Sequence, residues 1–358
     1  MTASSILQIN LGAIAANWRA VCAGHPGPVA AVLKADAYGL GAAVVGPHLH
    51  ARGCRHFFTA HLSEALPLRP MLPGSMLAVL NGLWPGDAPT CAAHGIAPVL
   101  GSLAELADWT AHARAMGRPL PALLHVDTGM NRLGLPPDEL DHLAAHPSLL
   151  DGASILFLMT HLVSAEDPDD PVNAAQHARF AGACARLPPM PRSYANSSGT
   201  FLPGSASDLA RPGAALYGVN PTPGQPNPMQ GVVRLRARIL QVRTVPAGGQ
   251  VGYNGQWQAP RPSRIATVSV GYADGYPRSL SNRALAHFDG HPVPLVGRVS
   301  MDLSTFDVTD APGAQPGAWL DLIGPNMPVD EVARRAGTNG YEILTQLGRR
   351  YQRTYDGA

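Results

Sequence analysis

The stretch PVAAVLKADAYGLG, residues 28–41, sets a lysine inside an otherwise apolar run. Lys34 is the only lysine in 358 residues, and the other 25 of the 26 basic residues are arginine. A residue type kept at one position of such a chain points to chemistry that arginine cannot perform. An amine desolvated by the flanking AAVL loses proton affinity and becomes a nucleophile toward a carbonyl carbon, whereas a guanidinium stays protonated. If the carbonyl belongs to pyridoxal phosphate, the chain must also supply a phosphate cradle, a partner for the pyridine nitrogen and a group that moves protons. RPGAALYG at 211–218 supplies Arg211 and a turn at Gly213 and Ala214 whose N–H groups can face phosphate, and YANSSG supplies Ser197.

These residues need elements that bring them together. Short apolar runs bounded by turn residues recur at 28–35, 56–61, 75–81, 96–102, 121–129, 154–161, 192–198 and 214–219. Between them, stretches such as SLAELADWTAHARAM carry apolar residues three and four apart, so strands alternate with helices. Eight such units predict an α/β fold with a (β/α)8 TIM barrel over residues 1–225, and Lys34 then falls at the end of the first strand, where barrel enzymes place their chemistry. After the linker NPTPGQPNPMQG the period changes to two in VVRLRARILQVRTV, with further strand-like runs at 264–270, 293–300 and 318–323. Residues 226–358 therefore read as a mostly β C-terminal domain with one late helix, VDEVARRAG, and the first few residues are open to joining it.

Composition narrows the function classes. A net charge of +1 with 14% charged residues offers no field for nucleic acid. Cys22, Cys54, Cys91 and Cys184 show neither C-x-x-C nor disulfide-like spacing, which fits a reducing cytoplasm. The first twenty residues lack a basic n-region and a long apolar core, so neither a signal peptide nor a membrane span is expected. The 14 histidines include the pair in HLH, His48 and His50, but residues i and i+2 of a helix point apart, so a metal-dependent hydrolase is disfavoured and no metal is expected. GLGAAV lacks the third small residue of a dinucleotide-binding turn.

The ordered series LKADAYGLGA, VDTGMNRLG, THL, ANS, RPGAALYG, VGYNGQW, GYADGYPR, GRVSMD and YEILTQLG resembles the alanine racemases, fold-type III pyridoxal-phosphate enzymes, over essentially the whole chain. The resemblance implies that Lys34 carries the cofactor and is one of two acid/base groups, the other being Tyr253. It implies that Arg211 meets the pyridine nitrogen with His161 behind it, and that Tyr38, Ser197, Gly213 and Ala214 hold the phosphate. Arg132 would lie near the cofactor phenolate and substrate carboxylate. It further implies a homodimer with shared active sites, Tyr253, Tyr272, Met301 and Asp302 reaching the partner's barrel, and a small amino-acid substrate. The resemblance implies D-alanine biosynthesis for a peptidoglycan precursor, with catabolism of D-alanine the open alternative.

Four positions depart from that pattern. His125 stands where many members have a modified lysine beside the arginine of MNRLG, Ser193 stands for a histidine shortly before ANS, Ser300 for a cysteine before MD, and Arg349 for a phosphate-binding tyrosine. Two further readings stay open: a racemase of another small amino acid such as serine, and a non-catalytic pyridoxal-phosphate-binding barrel protein. The second lacks the β domain that carries Tyr253.

Overall fold

The structure, a computed structural model, describes residues 3–357. Contacts divide them into two compact units: one of Ala15–Leu216 with Asn220–Met229, and one made of the chain up to Ile14, Tyr217–Val219 and the chain from Gln230 onward.

The first unit is the barrel. Seven parallel strands follow one another in chain order: Ala31–Val32, His56–Thr59, Met76–Val79, Ala97–Leu100, Leu120–His125, Ala153–Met159 and Arg192–Ser193. Adjacent residues in a strand face opposite sides. Leu123 thus joins Ala30, Val32, Phe58, Ala78 and Val99 in the interior, while Leu124 joins Trp109, Leu158 and Phe180 in the layer beneath the helices.

The eighth strand was expected at 214–219, but Ala214–Tyr217 forms a 3-10 turn. Its place is taken by residues 209–212. Leu209 N–H donates to Arg192 O at 3.1 Å and Arg211 N–H to Ala195 O at 2.9 Å on one side. On the other, Ala30 N–H donates to Ala210 O at 2.8 Å and Val32 N–H to Pro212 O at 3.2 Å. This short paired stretch closes the ring and carries Arg211 to its rim. Parallel strands all end at the same rim, so Lys34, His125, Thr160, Ser193 and Arg211, each at or just past a strand end, lie at one mouth.

The second unit is an eight-stranded sheet. Its spine is Val233–Val245, thirteen residues whose alternation buries Leu235, Ala237 and Ile239. On the other face Arg236 and Arg238 stack on Trp319 at 5.3 and 4.5 Å. Ser5–Asn10 enters this sheet between the spine and Gln352–Asp356. Two late helices are present where one was expected, Val329–Ala336 and Gly340–Gln346, the second opened by Asn339 capping Glu342 N–H at 2.9 Å. Among the described residues no helix is long and apolar enough to cross a membrane.

Gly275 closes the short turn Tyr272–Asp274 at φ +86°, and a Cβ there would lie 1.8 Å from the carbonyl oxygen of Gln346. Backbone cannot give way as a side chain does. Gly275→Ala is expected to lower stability by roughly 3 kcal/mol through the left-handed backbone and the collision together, read as a shift in the urea midpoint.

Candidate active site

Lys34 follows the strand Ala31–Val32, and the next four residues form a left-handed helical turn: Ala35, Asp36, Ala37 and Tyr38 have φ of 52, 55, 54 and 55°. L-residues pay about 1–2 kcal/mol each for this conformation, so something must hold it. Glu64 Oε1 accepts Ala35 N–H at 2.7 Å and Asp36 Oδ1 accepts Ala42 N–H at 2.7 Å. Gly39 and Gly41, at φ 82 and 96°, carry the chain out of the turn. The turn brings Tyr38 back beneath the lysine, whose Nζ sits 6.0 Å from the centre of the phenol ring.

The far end of Tyr38 meets the loop after Arg211. A Cβ on Gly213 would lie 2.2 Å from Tyr38 Oη, so a larger residue there would push the phenol out of its place. Gly213 N–H donates to Ser197 Oγ at 2.9 Å and Ala215 N–H donates to the same oxygen at 3.2 Å. Ser197 Oγ takes up these two N–H groups, which leaves its own O–H to donate near the Tyr38 hydroxyl, and hydroxyls set on a turn of this kind can bind phosphate. The residues present fit that group.

Arg211 is 5% exposed and in no ion pair among the described residues. Its guanidinium donates to Thr160 O at 2.5 Å and to Ser193 Oγ, and Ser193 Oγ donates on to Leu209 O at 2.7 Å. Burial lowers its pKa to about 10. The same burial, reinforced by the Arg211 charge, holds His161 at about 3 and His125 at about 4, so both imidazoles are neutral. Lys34 is also lowered, by burial first and then by the Arg132 charge, with Glu64 opposing. The acids closest by are occupied with backbone. Glu64 Oε2 accepts Ala60 and His61 N–H at 2.8 and 3.1 Å, and Asp127 accepts the N–H groups of Gly129, Met130 and Asn131. Three cations, Lys34, Arg132 and Arg211, thus act on one another and on the imidazoles here, opposed by the charges of Glu64 and Asp127.

The remaining residues singled out from the sequence lie in the second unit. Tyr253 opens the turn Tyr253–Gly255 and is 67% exposed. Tyr272 N–H donates to Ser300 O at 3.0 Å and Ala273 N–H to Met301 O at 2.9 Å, which fixes Tyr272 beside Met301. Asp302 pairs with Arg350 at 2.7 Å, and Arg350 also pairs with buried Asp274 at 2.7 Å. Arg349 is exposed. Sequence reasoning missed Glu64, Thr128, Thr160 and Gln176. Thr128 and Thr160 lie within the motifs VDTGMNRLG and THL, and Glu64 left a signal of its own, three residues after His61 at the start of the helix Leu62–Leu68. Among the described residues no group of three metal-ligating side chains occurs.

Two outcomes follow from this geometry. Ala35 is exposed and left-handed, so Ala35→Gly removes backbone strain with no loss of packing and is expected to raise stability by about 1 kcal/mol in urea unfolding. The second concerns pH. Folded His125 and His161 have pKa values of about 4 and about 3 against an ordinary 6.5. Below that value the unfolded chain takes up protons that the folded chain refuses, so stability falls as pH drops from 6.5 toward 4 and is unaffected above. His125→Gln or His161→Gln is expected to flatten that slope by up to about 1.4 kcal/mol per pH unit, measured as urea midpoints between roughly pH 6.5 and 5.

Comparison with known proteins agrees with this layout. Residues 9–221 match the family described as "Alanine racemase, N-terminal domain" and residues 232–355 match "Alanine racemase, C-terminal domain". The chain is 58% identical over 348 residues to an alanine racemase of Acidiphilium cryptum, covering 97% of each chain. It is 49% identical to a catabolic alanine racemase of Agrobacterium fabrum, over 99% of this chain and 92% of that one. Its structure is similar to that of the Bartonella henselae alanine racemase with covalently bound pyridoxal phosphate, at a TM-score of 0.96 and 42% identity, covering 99% of this chain and 100% of that one. With both domains matched in order and a curated relative sharing more than half of its residues, the chain belongs to the alanine racemase family.

Proposed function

We propose that this chain interconverts L- and D-alanine with pyridoxal phosphate held at Lys34, and that Lys34 and Tyr253 are its two acid/base groups. The observation that carries the reading is Lys34 itself: the sole lysine, half-buried at the barrel mouth, with proton affinity lowered by burial and by the Arg132 charge. The resemblance in sequence to alanine racemases and in structure to one holding pyridoxal phosphate supports the choice of substrate and cofactor.

Bound pyridoxal phosphate supplies an aldehyde for an amine and a conjugated ring that withdraws electrons from the substrate Cα. The protein does the rest. Tyr38, Ser197 and the backbone at Gly213 and Ala214 bind the phosphate. Arg211 donates a hydrogen bond to the pyridine nitrogen. A permanent cation is a poor acid, so Arg211 leaves that nitrogen unprotonated, limits electron withdrawal and favours prompt return of a proton to Cα. His161 stays neutral beside it and adds no second charge. Arg132 binds the substrate carboxylate. Racemisation takes a proton from one face of Cα and returns one to the other, so a lysine on one face and a tyrosine on the other suffice without moving the substrate.

We further propose a homodimer in the cytoplasm in which each site is shared, Tyr253, Tyr272, Met301 and Asp302 of one subunit completing the site of Lys34 in the other. The exposure of Tyr253, Tyr272 and Met301, at 67, 42 and 54%, supports a covering second copy. A two-fold interface makes the arrangement reciprocal.

The test uses two variants. Lys34→Ala and Tyr253→Phe homodimers are each expected to lose racemisation of L-alanine, followed by chiral chromatography, and Lys34→Ala also loses the visible band of lysine-held cofactor. When the two are dissociated, mixed equally and reassembled, half the dimers are mixed and half of their sites are intact, so about 25% of wild-type activity returns. Mixed dimers confirmed by mass without recovery overturn the shared site. Racemisation by Lys34→Ala overturns the mechanism, and faster turnover of serine than of alanine overturns the substrate.

A further inference from the structure

We infer that Gln176, a residue of the helix Pro171–Arg186, is a positioning residue for Arg211 and acts through Thr128 and Thr160. The inference rests on the role for Arg211 given above. Gln176 is fully buried, and Thr128 and Thr160 are 2 and 1% exposed. Its amide is saturated. Oε1 accepts Val163 N–H at 2.8 Å, while Nε2 donates to Thr128 Oγ1 and to His161 O, each at 3.0 Å. Because a backbone N–H can only donate, the bond from Val163 fixes which end of the amide is oxygen.

The chain of contacts continues inward. Thr128 Oγ1 and Thr160 Oγ1 lie 2.7 Å apart in a hydrogen bond, and Thr160 O is one of the two acceptors of the Arg211 guanidinium. Thr160 N–H donates to Ser193 O at 3.2 Å, and Ser193 Oγ is the other acceptor. Arg179, from the same helix, donates to Thr128 O at 2.9 Å. One outer helix therefore sets the height of two loops, those following the strands Leu120–His125 and Ala153–Met159, and the second loop carries a carbonyl that aims Arg211. A guanidinium without a carboxylate partner has only such neutral acceptors to orient it, so a small displacement of Thr160 changes where its remaining N–H groups point.

The readout is the balance between two fates of the substrate, which a merely structural role would not move. Alanine and pyridoxal phosphate either return alanine of either hand or become pyruvate and pyridoxamine phosphate, the amino group passing to the cofactor. When Arg211 loses its aim, the pyridine nitrogen is free to take a proton from solvent, and the second fate gains. Thr128→Val, which keeps the shape and removes the hydroxyl, and Gln176→Met, which removes all three amide bonds, are made as holoenzymes beside Thr128→Ser. Thr128→Val and Gln176→Met are expected to raise pyridoxamine phosphate formed per racemisation event by about tenfold and to lower kcat more than they change KM for alanine. Thr128→Ser is expected to match the wild type. A folded Thr128→Val holoenzyme with an unchanged ratio overturns the inference alone. A wild-type protein that binds no pyridoxal phosphate overturns it together with the function on which it rests.

Discussion

Arg211 is a buried guanidinium without a carboxylate in ion-pair reach among the described residues, and the barrel mouth is organised around it. A cation taken out of water loses several kcal/mol of hydration unless something returns it. Here the return comes from neutral dipoles, a carbonyl and a hydroxyl, and is incomplete. The neighbouring imidazoles answer by staying unprotonated. The carboxylates of Glu64 and Asp127 act elsewhere at the mouth, Glu64 on Lys34 and Asp127 on His125, while their oxygens accept backbone N–H groups. What remains is a donor group with unspent capacity in a place where water is scarce. A ligand bringing a ring acceptor together with anionic groups finds that capacity waiting, and its binding energy includes the hydration the protein gave up on folding.

The left-handed turn after Lys34 is the second stored cost. Four residues at about 1–2 kcal/mol each amount to roughly 4–8 kcal/mol. Such strain persists only where the surroundings over-determine it. Three features do so: the carboxylates of Glu64 and Asp36 take up the N–H groups of Ala35 and Ala42, the buried side chains of Ala37 and Leu40 anchor the turn, and two glycines release it. The result is that Lys34 and Tyr38 occupy the same corner. Their separation along the chain is that of one helical turn, but the opposite hand changes which way each side chain projects, so Tyr38 meets both Lys34 and Gly213.

Much of this was legible before the fold was seen, and the misses have physical causes. The lone lysine among arginines is a compositional signal, and the strands that carry the mouth are apolar runs of the kind buried on both faces. The eighth strand was misplaced because AALYGV is more apolar than the stretch 209–212, which holds an arginine and a proline. Only ring closure makes that shorter stretch pair on both sides. The handedness of the turn could not be read at all. KADAY is rich in alanine, the best former of right-handed helix, and holds no glycine, so the conformation is imposed by Glu64 from another segment. Thr128 and Thr160 stood inside VDTGMNRLG and THL without a role assigned to them, and Gln176 was invisible for a related reason. A glutamine in NAAQHARF reads as solvated helix surface, and its burial depends on two loops folding over it. Arg132, His161 and Tyr253 stood out through the resemblance to the family rather than through their own spacing.

The single lysine now has an answer in the company it keeps. Five nitrogenous side chains influence one another at this mouth: Lys34, Arg132, Arg211, His125 and His161. The acid/base role proposed for Lys34 requires a group whose proton affinity its surroundings can move. Arginine starts too high: even fully buried, Arg211 falls only to about 10. Histidine starts too low, and the same burial and charge push both imidazoles far out of reach on the acid side. Lysine begins between them and is moved in the useful direction by burial and by Arg132, while Glu64 limits the shift. An arginine at position 34 would remain a fixed charge, and a histidine there would already be neutral. The arginines elsewhere keep the surface charged without offering a second amine to a carbonyl, so the proposed chemistry has one address.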